Sequence, residues 1–318
     1  MQRRTFHAYL ASVLGALLFG ASRTPLPKPL IKARRLKRGD VIGLVTPGSY
    51  ISDESLEKAV SNLESLGFRV KPGKYIRARH GFVAGTDKQR LEDLHAMFDD
   101  PGVAGIWAAR GGYGCSRLLP LLDYSLIRRR AKVLIGYSDI TALIQGIHIN
   151  TGLVAFHGPV ASSDMTDYTV RCFTEVVMEG RSPLIITPAA GQPGKAAYDP
   201  YIIKAGRSRG RLAGGNLSLL AALAGTPYAL DASDKLVFIE EIGEEPYRID
   251  RMLTQLRQAA SIDKASGLAF GIFEGCEPDN PETSLSLTAT LEGQTSGLAI
   301  PSDYGHAIGH ISNQCTLP

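Results

Sequence analysis

A chain of 318 residues is long enough for two cores of ordinary domain size, and 44% hydrophobic with 21% charged residues excludes a disordered or fibrous polymer. The net charge of +4 is slight and no Lys/Arg stripe is interleaved with aromatics, so no nucleic-acid partner is expected. The four cysteines (Cys115, Cys172, Cys276, Cys315) are scattered without a C-x-x-C pair, which argues against a zinc or redox site and predicts no disulfide from spacing. There is no H-E-x-x-H pattern and no phosphate-binding P-loop, and the glycines of RGGYG and AGGN lack dinucleotide spacing; neither metal nor cofactor is expected.

In chain order, the N-terminus MQRRTFHAYLASVLGALLFGAS comes first. Paired Arg3 and Arg4 precede an apolar stretch from Ala8 to Ala21, too short and too rich in Gly and Ala for a comfortable membrane span of roughly 20 apolar residues. Gly20-Ala21-Ser22 offers a cleavage site, and Arg-Arg-Thr-Phe resembles a twin-arginine export signal. Residues 1–22 are therefore expected to be a signal peptide that places the body in the periplasm, with no stable membrane insertion after cleavage. The alternative is an uncleaved membrane anchor.

Residues 23–162 are read as the first domain, in which strands and helices alternate from about Leu36 to Pro159. DVIGLVTP is an apolar run of strand length. The next segment, SDESLEKAVSNLESLGF, repeats Leu56, Val60, Leu63 and Leu66 at helical spacing, with Ser52 as its cap and Gly67 as its close. FRVKPG reads as a short strand. TDKQRLEDLHAMF opens with a Thr86-x-x-Gln89 capping box and places Leu91, Leu94 and Phe98 on one face. VAGIWAA and KVLIGY are further buried-type strands, each followed by a glycine-bearing turn and a helix; the basic run LIRRRAKV reads as a solvated turn before the second of them. The alternation predicts an α/β domain whose parallel sheet carries helices on both faces, with ligands gathering at the carboxyl ends of its strands. RGGYG and GYSD both fall at such ends.

A helix over DYTVRCFTEVVMEG then leads into the Pro/Gly-rich RSPLIITPAAGQPGKAAYDP, and residues 163–205 are read as a connection. Residues 206–318 form a smaller second domain, α/β or α+β. It has helices over GGNLSLLAALAG and YRIDRMLTQLRQAA, and strands over KLVFIEEIG, GLAFGIFEG and SGLAIP.

The strand-to-helix joint GYSDIT has the mechanics of a nucleophile elbow, in which a tight turn exposes Ser138 and the helix N-terminus favours developing negative charge. Ser138 can equally be a helix cap. A nucleophilic serine needs a base, normally His, and that base needs an orienting carboxylate. Of seven histidines, His157, His306 and His310 lie in loops beside strands, where functional residues gather.

RGGYG, IGYSDIT, FHGP, GGN, IEEIGEEPYRIDRML and a GH followed by Asn313 occur in that order from about residue 43 to 317. The set resembles the LD-carboxypeptidase family of serine peptidases, which trim murein peptides and whose relatives include microcin-immunity peptidases. The resemblance implies an N-terminal parallel α/β domain carrying the serine, a C-terminal domain carrying the other triad members, and a homodimer. It implies removal of the terminal D-alanine from an L,D-linked murein tetrapeptide without cofactor or metal. By position it assigns Ser138 as nucleophile, Glu240 as carboxylate and His310 as base. The oxyanion hole falls to the backbone N–H groups of Asp139 and Gly112, and Arg110 and Tyr113 become candidate substrate contacts. Competitors stay open: Glu241, Glu244 and Glu245 adjoin Glu240, His306 precedes His310 by four residues, and His157 reads as a structural hydrogen-bonding histidine. A serine amidohydrolase of the same fold acting on a microcin-type conjugate, or a silent murein-peptide binding protein, are the alternative functions. Relatives mostly lack an export signal and usually continue through a terminal strand past CTLP.

Overall fold

The computed structural model of the chain describes residues 28–189 and 198–318; the expected signal segment 1–22 and part of the expected connection lie outside the described residues. The first half builds a five-stranded, wholly parallel sheet in the order β2-β1-β3-β4-β5. Its strands are β1 (Val41–Val45), β2 (Arg69–Pro72), β3 (Val103–Ala108), β4 (Val133–Gly136) and β5 (Phe156–His157). β3 and β4 are continuous apolar runs because helices cover both faces and leave no wet side to alternate with.

Helices α1 (Asp53–Ser65), α2 (Asp87–Asp99), α3 (Tyr124–Arg129), α4 (Ile140–Thr151) and α5 (Asp167–Phe173) supply that cover. Leu56 and Leu63 of α1 and Phe173 of α5 meet Trp107 on one face. Leu94 and Phe98 of α2 and Leu143 and Ile147 of α4 close the other. The local signals operate as expected. Ser52 Oγ accepts from Ser55 N at 3.2 Å, Thr86 and Gln89 form the capping box, and Arg128–Arg130 are exposed at the end of α3.

The second half forms another five-stranded sheet, β6-β10-β9-β8-β7, parallel except where β6 runs against β10. It comprises β6 (Tyr201–Lys204), β7 (Arg211–Asn216), β8 (Lys235–Ile242), β9 (Gly267–Glu274) and β10 (Ser302–Tyr304), with helices α6 (Leu217–Leu223), α7 (Pro246–Ala259) and α8 (Leu287–Thr295). This half is therefore α/β with an antiparallel edge. Strands β5, β6 and β10 and helix α8 have no counterpart among the expected elements, β6 lying within the expected connection, and two expected elements take another form. GGN ends a strand instead of opening the helix, since Gly214 and Gly215 at φ +147° and +141° finish β7 where a Cβ would strike Phe238 O or Thr141. SGLAIP is no strand: Leu298 N closes the last turn of α8 on Thr295 O, and Leu298 and Ile300 fill the core from a loop. Apolarity there reports burial, not strand.

The halves are joined by α4 and by the C-terminal tail. Gln145 Nε2 donates to Gly214 O at 3.1 Å, and Asn216 N donates to Thr141 Oγ1 at 3.1 Å. The tail returns to the first half: Thr169 Oγ1 donates to Ser312 O (2.9 Å) and accepts from Gln314 N (3.1 Å), while His157 and Leu317 exchange backbone bonds of 2.9 and 2.8 Å.

Trp107 Nε1 donates to Pro159 O at 2.7 Å and its ring meets Phe173 at a centroid distance of 4.7 Å, so it pins the exit of β5 to the core. Trp107→Ala is expected to cost about 3–5 kcal/mol, read from urea unfolding followed by far-UV circular dichroism. A mutant curve superposed on the wild type contradicts this assignment.

Candidate active site

Gly136 ends β4 against Ile140, which a Cβ would approach to 2.8 Å, and α4 begins at Ile140 itself. The turn between them holds Ser138 at φ 62°, a left-handed conformation that costs a non-glycine residue about 1–3 kcal/mol and persists only where its surroundings over-determine it. Here Ile140 N and Thr141 N donate to the carbonyls of Tyr137 and Ser138 at 3.3 and 2.9 Å. Gly111 lies flat against the serine, since a Cβ on it would come within 2.9 Å of Ser138 Cβ. Asp139 occupies the N-cap position without a side-chain cap bond, and Ser138 Oγ has no hydrogen-bond partner among the described residues. Ser138 is therefore not the helix cap.

The strand order places β1 beside β3, where successive connections leave in opposite directions and open a crevice at the carboxyl ends. The loops after β1, β3 and β4 interlock there. Ser49 N donates to Gly111 O (3.2 Å), and Ser49 Oγ accepts from Tyr113 N (3.1 Å). Cys115 N donates to Asp139 Oδ2 (2.9 Å), a carboxyl whose pKa burial pushes up. Gly112 has φ +103°, and a Cβ there would lie 2.3 Å from Ser49 Oγ. Neither the N–H of Gly112 nor that of Asp139 has an acceptor among the described residues. Arg110 Nη1 donates to Tyr50 O at 3.0 Å and pairs with no carboxylate among the described residues. The Tyr113 ring is exposed, edge-on to Phe82 at 5.3 Å on the rim. Cys115, the other nucleophile type near a glycine turn, is fully buried, and burial with Asp139 beside it holds the thiol protonated.

The second sheet supplies Glu240 and His310. Glu240, near the end of β8, has 0% exposure, and its Oε2 lies 2.8 Å from His310 Nδ1. Gly309 makes the approach feasible at φ +116°, because a Cβ would stand 2.9 Å from that same oxygen. The neighbouring acids are committed elsewhere. Glu241 accepts from Asn216 Nδ2 (3.0 Å) and from Ser218 N (2.7 Å) at the start of α6, Glu244 faces Arg248 (3.3 Å), and Glu245 accepts from Asp279 N (3.3 Å). His306 Nε2 lies 3.0 Å from Asp303 Oδ1, away from Glu240.

His310 packs its ring on Tyr137 at 4.7 Å, which sets it beside the residue preceding Ser138. No hydrogen bond joins Ser138 to His310 in this structure. A polar cleft of about 280 Å³ opens beside His310, lined by Lys58, Tyr137, Asp164, Ser312 and Gln314 among others. His157 is buried, paired through its backbone to Leu317, and its Nε2 has no hydrogen-bond partner among the described residues. Burial lowers its pKa from 6.5 to about 4. Sequence reasoning missed Ser49, Tyr137 and the Lys58–Asp164 pair. Ser49 carries a signal, a Pro-Gly-Ser turn directly after an apolar strand, whereas the other three meet only through tertiary packing.

The chain matches the description LD-carboxypeptidase N-terminal domain over residues 42–158 and LD-carboxypeptidase C-terminal domain over 209–318. It belongs to the LD-carboxypeptidase family, a family of peptidases. A probable murein peptide carboxypeptidase of Bacillus subtilis is 40% identical, covering 90% of this chain and 89% of its own. The murein tetrapeptide carboxypeptidase of Pseudomonas aeruginosa is 32% identical over 87% of this chain and 90% of its own. Among solved structures, the MccF-like protein of Bacillus anthracis superposes with a TM-score of 0.79 at 29% identity, covering 91% of this chain and 93% of that one.

The geometry separates strain from capping. Ser138→Gly is expected to gain up to about 1 kcal/mol by relieving the left-handed backbone, net of glycine's extra chain entropy. Ser138→Ala is expected to stay within about 0.5 kcal/mol of wild type, since it loses no cap bond. Thermal unfolding of the three proteins decides; a drop of about 1 kcal/mol for the alanine variant restores the cap.

Proposed function

We propose that the protein is a serine carboxypeptidase that removes the terminal D-alanine from L,D-linked murein tetrapeptides, with Ser138, His310 and Glu240 as its triad. The observation that carries this is the buried Glu240–His310 pair at 2.8 Å, set by Tyr137 beside a serine held at φ 62° ahead of a helix. Glu240 fixes the Nδ1–H tautomer, which leaves Nε2 of His310 free to take the proton of Ser138 as Oγ attacks the scissile carbonyl carbon. Catalytic hydrogen bonds are often long in an empty site and tighten around substrate, so the absence of a Ser138–His310 bond is compatible with this role. The carbonyl oxygen becomes an oxyanion served by the N–H groups of Asp139 and Gly112, and the positive end of α4 lies behind it. His310 then returns the proton to the amine of D-alanine as the C–N bond breaks, and water activated by the same imidazole hydrolyses the acyl-enzyme. Arg110, with no carboxylate partner among the described residues, suits the terminal carboxylate of the peptide.

The murein names of the Bacillus and Pseudomonas relatives support the substrate, and the likeness to an MccF-like protein supports a peptide conjugate as the second reading. Purified protein incubated with murein tri-, tetra- and pentapeptides is expected to convert only the tetrapeptide, releasing one alanine by mass. Ser138→Ala is expected to lose about 10⁴–10⁶-fold in turnover while remaining folded. Near-normal turnover by that variant removes the serine from the mechanism, and cleavage confined to an aminoacyl-nucleotide conjugate favours the second reading.

The Arg3-Arg4 segment supports a proposal that the chain is exported to the periplasm, and the family resemblance supports a homodimer there. Among the described residues no helix is long and apolar enough to cross a membrane. Replacing Arg3 and Arg4 together by Lys is expected to leave precursor in the cytoplasm, followed by cell fractionation. Mature protein still reaching the periplasm refutes the twin-arginine route.

A further inference from the structure

Glu240 is a fully buried carboxylate with two oxygens, and His310 engages only one of them. Oε2 has its partner at 2.8 Å, whereas Oε1 is buried with none among the described residues. A buried carboxylate oxygen left alone is costly, and such atoms are as a rule satisfied by protein or by an ordered water. A second buried polar atom in the same wall is in the same condition. His157, 3% exposed, keeps Nε2 without a partner among the described residues.

The two residues belong to one packed group. The His157 ring meets Phe238 at 5.2 Å and Tyr137 at 6.1 Å, and Tyr137 in turn meets His310 at 4.7 Å. Phe238 stands two residues before Glu240 on β8, so the two side chains leave the strand on the same side. A third unpartnered atom, Thr316 Oγ1, belongs to the tail that pairs with His157, and a Cβ on neighbouring Gly158 would lie 2.9 Å from it. Three such atoms are as many partners as one buried water ordinarily takes. Neutral imidazole carries one N–H, and a protonated ring is disfavoured here because burial drives His157 down to about 4. The charged or titratable groups that face it are Glu240, His310 and Tyr137.

We propose that His157 is a positioning residue for the proposed triad: its Nε2–H, through one buried water shared with Thr316 Oγ1, serves the Glu240 oxygen that His310 leaves free. This rests on the reading of Glu240 and His310 as orienter and base. The second bond holds the carboxylate plane, stabilises its charge, and keeps Oε2 directed at His310 Nδ1. Without it the carboxylate becomes more basic. It then holds a proton itself or stabilises the imidazolium of His310, and either course removes the free base at a higher pH than before.

The test compares the full chain with His157→Phe, which keeps a ring and loses the donor, and His157→Gln, whose amide Nε2 restores one. The acid limb of kcat/KM on the murein tetrapeptide is expected to move up by about 0.5–1 unit in His157→Phe and to return in His157→Gln. A limb that stays in place while thermal stability falls reduces His157 to packing and overturns the proposal. Should His157→Phe fail to fold, nitrogen-15 NMR of histidine-labelled wild-type protein decides. The proposal expects a neutral Nε2–H tautomer for His157 down to pH 5, and an Nδ1–H tautomer overturns it. That spectrum needs no turnover, so a wild-type protein inert on murein peptides counts against the proposed function alone.

Discussion

The structure turns on a carboxylate closed off from bulk solvent. An uncompensated buried charge costs several kcal/mol even after relaxation, so Glu240 must be met, and His310 Nδ1 meets it at 2.8 Å. That requirement reaches far along the chain. The bend containing His310 descends to β8 only because Gly309 has no Cβ to strike Oε2. The residues after it are held by Thr169 of α5 and by the backbone of His157 on β5. One short contact thereby depends on a strand of the second sheet, an edge strand of the first and a helix between them.

The two sheets divide the chemistry. The first supplies a strained serine, two N–H groups without an acceptor among the described residues, and Arg110, whose guanidinium holds Tyr50 O and meets no carboxylate among those residues. The second supplies an oriented imidazole. Helix α4 starts immediately beyond the serine and also fastens the seam through Thr141 and Gln145. The element that follows Ser138 is therefore the one that fastens the two sheets together. Reacting groups must be held to a fraction of an ångström, and a site assembled across two sheets needs a seam this close to it.

Adjacent glutamates show how little residue type decides alone. Glu240 and Glu241 share a strand and are both buried, yet the first faces His310 while the second gathers Asn216 Nδ2 and Ser218 N in the first turn of α6. Burial raises the pKa of Glu241, against which those hydrogen bonds act. One glutamate holds an imidazole of its own half beside Tyr137 of the other; the second fastens a helix to its own sheet. Exchanging their environments would leave the composition unchanged and the site without its carboxylate.

Local physics was legible in the sequence. Apolar runs of strand length, a Thr-x-x-Gln box and a Gly-x-Ser-Asp joint depend on neighbours within a few residues, and they determined the parallel first sheet, the helix starts and the elbow. The ordered segments from RGGYG to the final Gly-His pointed to Ser138, Glu240 and His310, of which the fold joins the last two directly. Glycine-rich β7 was hidden because its glycines answer to Phe238 and Thr141 on other elements, and SGLAIP misled because a loop can fill a core as well as a strand can. The choice of His310 over His306, the freedom of Ser138 from capping, and the placing of Tyr137 and His157 beside the carboxylate depend on residues tens to hundreds of positions apart. Only the closed fold brings such residues together, because strand order and a returning tail set those distances and no local propensity encodes them.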